Sequence, residues 1–206
     1  MRKTLYHFSK RVIDVAVSCI VLAVLFPVLV IVGLCVWLTS PGPVIHARKC
    51  VSKNGCYFMY KFRTMFNDAD NLEKYLTPSQ IEEYNRNIKV VNDPRITGVG
   101  KILRRLSLDE FPQLWNVIKG DMSLVGPRPL AVDEVHLYDK KLLDEILSVK
   151  PGVTGYWQTH GRSSANYDSG KRQELELYYI RHQSFILDIK ILALTATVIV
   201  NGGGAM

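Results

Sequence analysis

The sequence predicts an α+β fold, mostly helical, built on an N-terminal membrane segment. Three observations predict it. From Val15 to Leu38 the chain runs 24 residues without a charge. Residues 44–63 hold two β-prone stretches, VIHARKCV and CYFMYKFR, around an Asn54-Gly55 turn signal. Beyond residue 130, apolar positions recur at helical spacing in most segments. The predicted division is a membrane anchor over 1–40 and a cytoplasmic domain over 41–206.

The uncharged run is long enough to cross a bilayer. It is too long for a cleaved signal peptide, and no small-x-small site ends it. Lys3, Lys10 and Arg11 lie on its near flank, and Arg48, Lys49 and Lys53 on its far flank. The preference of basic flanks for the cytoplasm then places both ends on one side. Pro27 splits the run, and an interior proline removes one helical hydrogen bond. A re-entrant helix–break–helix that turns at Pro27 satisfies both facts. A Pro-kinked full span stays open on these grounds.

Ser40-Pro41-Gly42-Pro43 ends the anchor and the hairpin follows, with Lys61 and Arg63 at its exit. Residues 67–90 are polar and predicted helical, and Asn92-Asp93-Pro94 is a turn. Residues 131–147 carry Val135, Leu142, Leu143, Ile146 and Leu147 at helical spacing. PGVTGYWQTHGR, 151–162, reads as a loop lining something. Residues 173–182 form a short helix with Tyr178 and Tyr179. Residues 185–200 are apolar apart from Asp188 and Lys190, which suits a packed or membrane-surface amphipathic helix.

Charge is unevenly placed. Residues 1–63 carry a net +8, whereas the remainder carries −1. A basic end fused to an apolar run fits a membrane surface. Aromatic residues do not interleave with the basic ones, which argues against nucleic acid as a partner. The cysteines Cys19, Cys35, Cys50 and Cys56 lack metal-site spacing and read as ordinary reduced thiols.

The central stretch, RRLSLDEFPQLWNVIKGDMSLVGPRP (104–129), carries the chemistry. Asp109 and Glu110 are adjacent, and Arg104, Arg105 and Arg128 bracket them. Pro112 is tolerated in a first helical turn, so the pair is predicted at a helix start, with Ser107-x-x-Glu110 as an alternative capping box. Carboxylates, a helix N-terminus and arginines together point to metal-assisted phosphoryl chemistry. The same residues also read as a helix cap with surface ion pairs. Arg105 reads as surface charge, and Asp93 and Asp121 as turn caps.

The pieces KRVIDVAVS, SPGPVIHAR, YKFRTM, DPRITGVGKILRRLSLDEFPQLWNVIKGDMSLVGPRP, KPGVTGYWQTHGR, LELYYI and LDIKILALT cover Lys10 to about Thr195. Together they resemble the bacterial sugar transferases, or monotopic phosphoglycosyl transferases. The resemblance implies transfer of a sugar 1-phosphate from a UDP-sugar to undecaprenyl phosphate, releasing UMP, early in exopolysaccharide, capsule or O-antigen synthesis. It implies the bacterial cytoplasmic membrane, with the catalytic domain on the cytoplasmic face, membrane lipid as a partner, and Mg2+ as cofactor. Galactose or glucose is the implied sugar, with an N-acetylated amino sugar as the alternative. By position, Asp109 matches the nucleophile, and magnesium is implied at Asp109 and Glu110. Lys61, Arg104 and Arg128 match phosphate-binding positions, as does Gln113 one turn on. Arg162 matches a nucleotide position, and Pro27 the membrane break. A catalytically inactive membrane scaffold and a soluble metal-dependent phosphatase are the rival readings. Oligomeric state is left open, a homo-oligomer included.

Overall fold

The computed structural model describes residues 2–87, 90–161 and 170–200. Helix α1, Arg2–Thr39, takes in the whole apolar run as one helix, with Pro27 inside it. The expected separation into two helices at Pro27 is therefore not seen. Val24, Phe26 and Ile31 are exposed along its middle.

Both ends of α1 dock on the rest of the chain. Near its start, Lys10 Nζ lies 2.9 Å from Asp188 Oδ2, and the Tyr6 hydroxyl donates to the same oxygen at 2.9 Å. Asp14 accepts from Ser123 Oγ at 2.6 Å. Near its end, Val32 and Val36 pack against Phe62 and Leu103.

Strands β1 (Ile45–Ser52) and β2 (Gly55–Phe62) form the expected hairpin, in register from Ile45↔Phe62 to Ser52↔Gly55. The two turn residues are thus Lys53 and Asn54, one position earlier than the Asn54-Gly55 reading. Gly55 supplies the positive φ, +119°, that a side chain resists. The polar 67–90 segment is two helices, α2 (Leu72–Tyr75) and α3 (Pro78–Asn87). The break has a local cause. Thr77 N–H donates to Gln80 Oε1 at 3.0 Å and Gln80 N–H approaches Thr77 Oγ1 at 3.4 Å, a reciprocal cap that starts a new helix with Pro78 in its first turn.

Helix α4, Gly98–Leu106, is capped by the Thr97 side chain, which accepts from Gly100 N–H at 2.9 Å. It ends at Ser107, whose φ of +56° turns the chain back. A tight turn over Leu108–Glu110 follows, then α5, Gln113–Lys119. Strand β3 (Ser123–Val125) pairs in parallel with β5 (Gly152–Thr154), and β4 (Leu130–Ala131) adds to β1, giving the sheet order β2-β1-β4. The 131–147 segment is a tight turn over Val132–Leu137 and a short α6, Lys140–Ile146, started by the Asp139 side chain accepting from Leu142 N–H. The predicted 151–162 loop hides β5 and α7, Tyr156–His160. Helices α8, Lys171–Arg181, and α9, Phe185–Val200, agree with expectation.

The main core gathers the inner face of the hairpin (Cys50, Tyr57, Met59), α5 (Leu114, Val117), β3 and its approach (Met122, Leu124, Val125), and Tyr179 and Ile191 from the last two helices. Asn116, fully buried, fastens α5 to β2: its Oδ1 accepts from Tyr60 N–H at 3.0 Å and its Nδ2 donates to the Phe58 carbonyl at 2.7 Å. A side-chain amide here satisfies strand groups that burial would otherwise leave unpaired.

Candidate active site

The hairpin presents one face to the core, and that face changes character along its length. Cys50 stands opposite Tyr57, Arg48 opposite Met59 and His46 opposite Lys61, so the apolar inner face becomes cationic toward the β2 exit. There it meets the Leu108–Glu110 turn. Lys61 Nζ lies 2.8 Å from Glu110 Oε1, with both side chains about a third exposed.

Asp109 is buried beside them. Burial pushes its carboxyl above the ordinary value, and the neighbouring Glu110 adds to that, while the charges of Lys61 and Arg104 pull it down. Arg104, from the last turn of α4, is fixed by an Nε–H···Oγ1 bond to Thr64 of 2.9 Å. That bond depends on a close approach. A Cβ on Gly100 would lie 1.9 Å from the Thr64 carbonyl oxygen, so only glycine lets α4 rest on the KFRTM segment.

The pair opens a single 3-10 turn, Leu108–Glu110, that leads into α5, instead of forming the first turn of α5 itself. The left-handed Ser107 ends α4, and the pair sits in its own turn before Pro112 caps α5; the Ser107 side chain makes no capping bond among the described residues. Gln113 is the first residue of α5, only 2% exposed. Asp93 forms a buried pair with Arg95 at 2.6 Å, and Asp121 bonds Asn116 and Lys119, so both serve structure as expected.

The structure gathers Lys61, Arg104, Asp109 and Glu110, and sets Arg128 in a neighbouring group. Arg128 Nη2 is 3.6 Å from Glu134 Oε1, and Arg48 approaches the same oxygen at 3.4 Å. Glu134 thus links the cationic hairpin face to the GPRP loop. The loop is itself laid on β5: Gly126 N–H donates to the Thr154 carbonyl at 3.0 Å and Gly152 N–H to the Pro127 carbonyl at 2.8 Å. Arg162 lies outside the described residues. Sequence reasoning missed Thr64, Glu134, Trp157, Arg172 and Glu176. Thr64, Trp157 and Glu176 lie inside the recognised pieces without standing out there, and Glu134 and Arg172 lie only near them.

Among the described residues, no three His, Cys, Asp or Glu side chains cluster as a protein-only metal cage. Two adjacent carboxylates nonetheless fit magnesium, which binds through one or two carboxylates and completes its shell with water and substrate phosphate.

A family model described as "Bacterial sugar transferase" matches residues 5–202. The undecaprenyl-phosphate galactose phosphotransferase of Salmonella typhimurium is 39% identical over 203 residues, 97% of this chain and 42% of that protein. The exopolysaccharide production protein ExoY of Sinorhizobium fredii is 38% identical over 188 residues, 89% of this chain and 82% of the relative. The undecaprenyl-phosphate glucose phosphotransferase of Komagataeibacter xylinus is 39% identical over 198 residues, 91% of this chain and 35% of the relative. The chain therefore spans less than half of the two named phosphotransferases and most of ExoY.

Proposed function

Because the chain belongs to the bacterial sugar transferase family, we propose that it transfers a sugar 1-phosphate from a UDP-sugar to undecaprenyl phosphate and releases UMP. The observation that carries the reading is the buried Asp109 carboxyl facing the charges of Lys61 and Arg104. Galactose or glucose is the proposed sugar, since relatives carry those sugars in their names.

The chemistry is a double displacement at one phosphorus. An Asp109 oxygen attacks the phosphorus bearing the sugar, and the bond to the bridging oxygen breaks, its electrons leaving with UMP. Lys61 and Arg104 lower the repulsion between carboxylate and diphosphate and stabilise charge on the departing oxygen. An oxygen of the lipid phosphate then attacks the same phosphorus and releases the Asp109 carboxylate. A magnesium ion held by Asp109 and Glu110 would supply further neutralisation of the diphosphate. Arg128 binds phosphate from the GPRP side.

The proposed setting is the cytoplasmic face of the bacterial inner membrane, with α1 re-entrant. Its two-ended docking supports this. Asp14 and Val36 are about 33 Å apart along a straight helix, as much as the hydrocarbon core of a bilayer, yet both contact one body. A full span would carry that body, charged site included, across the lipid. The exposed apolar residues Ile102 and Leu106 of α4, and Ile186 and Ile189 of α9, fit helices resting on the membrane surface.

Two measurements test the chemistry. Asp109→Asn is expected to abolish UMP release. Lipid-free wild-type enzyme is expected to move label from free UMP into the UDP-sugar pool, because the first displacement reverses without acceptor. Absence of exchange, with no label trapped on Asp109, would leave direct attack by the lipid phosphate as the mechanism.

A further inference from the structure

Arg128 is held from three sides by groups that the proposed displacement does not use. Its guanidinium faces Glu134 Oε1 at 3.6 Å and lies 5.7 Å from the centre of the Trp157 ring. Its backbone N–H donates to Glu176 Oε2 at 2.9 Å. The guanidinium of Arg172 also lies over Trp157, at 4.7 Å, and Arg172 Nε is 3.7 Å from Glu176 Oε1. One indole therefore carries two guanidiniums, and each guanidinium faces a carboxylate.

This arrangement is costly to bury. The side chains of Arg172 and Glu176 are 3% and 2% exposed, and burial pushes the Glu176 carboxyl up to about 7 despite both arginines. Spaced four residues apart on α8, they would cost far less as an exposed pair. Trp157 adds to the expense, since its indole Nε1–H is buried without a hydrogen-bond partner among the described residues. The ring is thus kept for its face, which attracts cations, and not for its hydrogen bond. All of these groups converge on the GPRP loop, between Pro127, tied to Gly152, and Leu130, the first residue of β4.

We propose that Trp157 and Glu176 are positioning residues for Arg128. Glu176 fixes the Arg128 backbone through its N–H, Trp157 sets the surface against which the guanidinium lies, and Arg172 holds the other oxygen of Glu176. The inference rests on the reading of Arg128 as a phosphate-binding residue, and it extends that role to α7 and α8.

A double-mutant cycle tests it on the full chain in detergent, with UMP affinity by calorimetry and KM and kcat for the UDP-sugar as readouts. Trp157→Leu and Glu176→Ala are each expected to weaken UMP binding about tenfold and to raise KM more than they lower kcat. Glu176→Gln keeps an acceptor for the Arg128 N–H and is expected to recover most of the loss. In an Arg128→Ala background, neither Trp157→Leu nor Glu176→Ala should weaken UMP further. The proposal is overturned if the losses multiply in the double variants, or if the single variants bind UMP as the wild type does. Should Glu176→Ala fail to fold, the Trp157→Leu cycle decides alone. A wild-type chain that binds UMP but releases none from any UDP-sugar refutes the transferase reading, while the coupling between Trp157 and Arg128 is still measured.

Discussion

Lys61 helps set the working range of Asp109. The carboxyl of Asp109 is raised chiefly by burial and lowered first by Lys61, so its ionised form depends on that ammonium. Removing the charge with Lys61→Met should therefore move the acid limb of the turnover profile to higher pH, besides lowering the rate. An unmoved limb in a pH–rate series would mean that Lys61 serves Glu110 alone. Glu176 gives a stability prediction of definite sign. Its folded value of about 7 lies above the ordinary 4.5, so between those values the folded protein holds a proton that the unfolded chain has released. Folding stability from this group is thus gained as pH falls through about 7 and lost again on raising it. Glu176→Gln should flatten the dependence of Tm on pH across that window, as scanning calorimetry at several pH values would show. At this scale the sequence displays Asp109 and Glu110 readily, since adjacent carboxylates among arginines form a pattern within a single short stretch. It conceals Glu176, because an Arg–Glu pair four residues apart usually marks a solvated face, and only packing buries it.

The elements around the site are short and locked by close contacts. Gly100 allows α4 to rest on the Thr64 carbonyl, and Arg104 then reaches the Thr64 hydroxyl. Gly100→Ala must push α4 away, so it should cost about 2 kcal/mol or more in stability and lower turnover together, read by thermal unfolding and UMP release on the same sample. Intact stability with intact turnover would show that α4 has room to shift. The hairpin is legible through its β-prone runs and turn residues, yet its turn lies one residue early because Gly55 is the residue there that takes the positive φ. The start of α5 is obscured for a related reason. Pro112 marks a helix beginning, but Ser107 ends the previous helix in a left-handed conformation and leaves Asp109 and Glu110 in a turn of their own. Strand β5 is invisible in the sequence. Its three residues have no pattern of their own, and their extended form comes from pairing with β3.

At the scale of the molecule, α1 is the element whose length is legible and whose course is not. Composition gives the uncharged run from Val15 to Leu38, whereas the two docking regions of α1 depend on residues far along the chain. If both ends lie in the cytoplasm, single cysteines placed near Lys3 and near Lys53 on a cysteine-free background should escape an impermeant thiol reagent in intact cells. Labelling near Lys3 alone would reveal a full span. Basic residues on both flanks point to the proposed topology; nothing foreshadows the contacts of Lys10, because Asp188 reads as an interruption in an apolar helix. That pairing also orders events during synthesis. Lys10 and Asp188 are 178 residues apart, so at ribosomal speed the lysine precedes its partner by roughly 9 to 36 seconds. In that interval Asp14, one helical turn away, is a partner already at hand for its charge. The anchor is therefore finished first and fastened last.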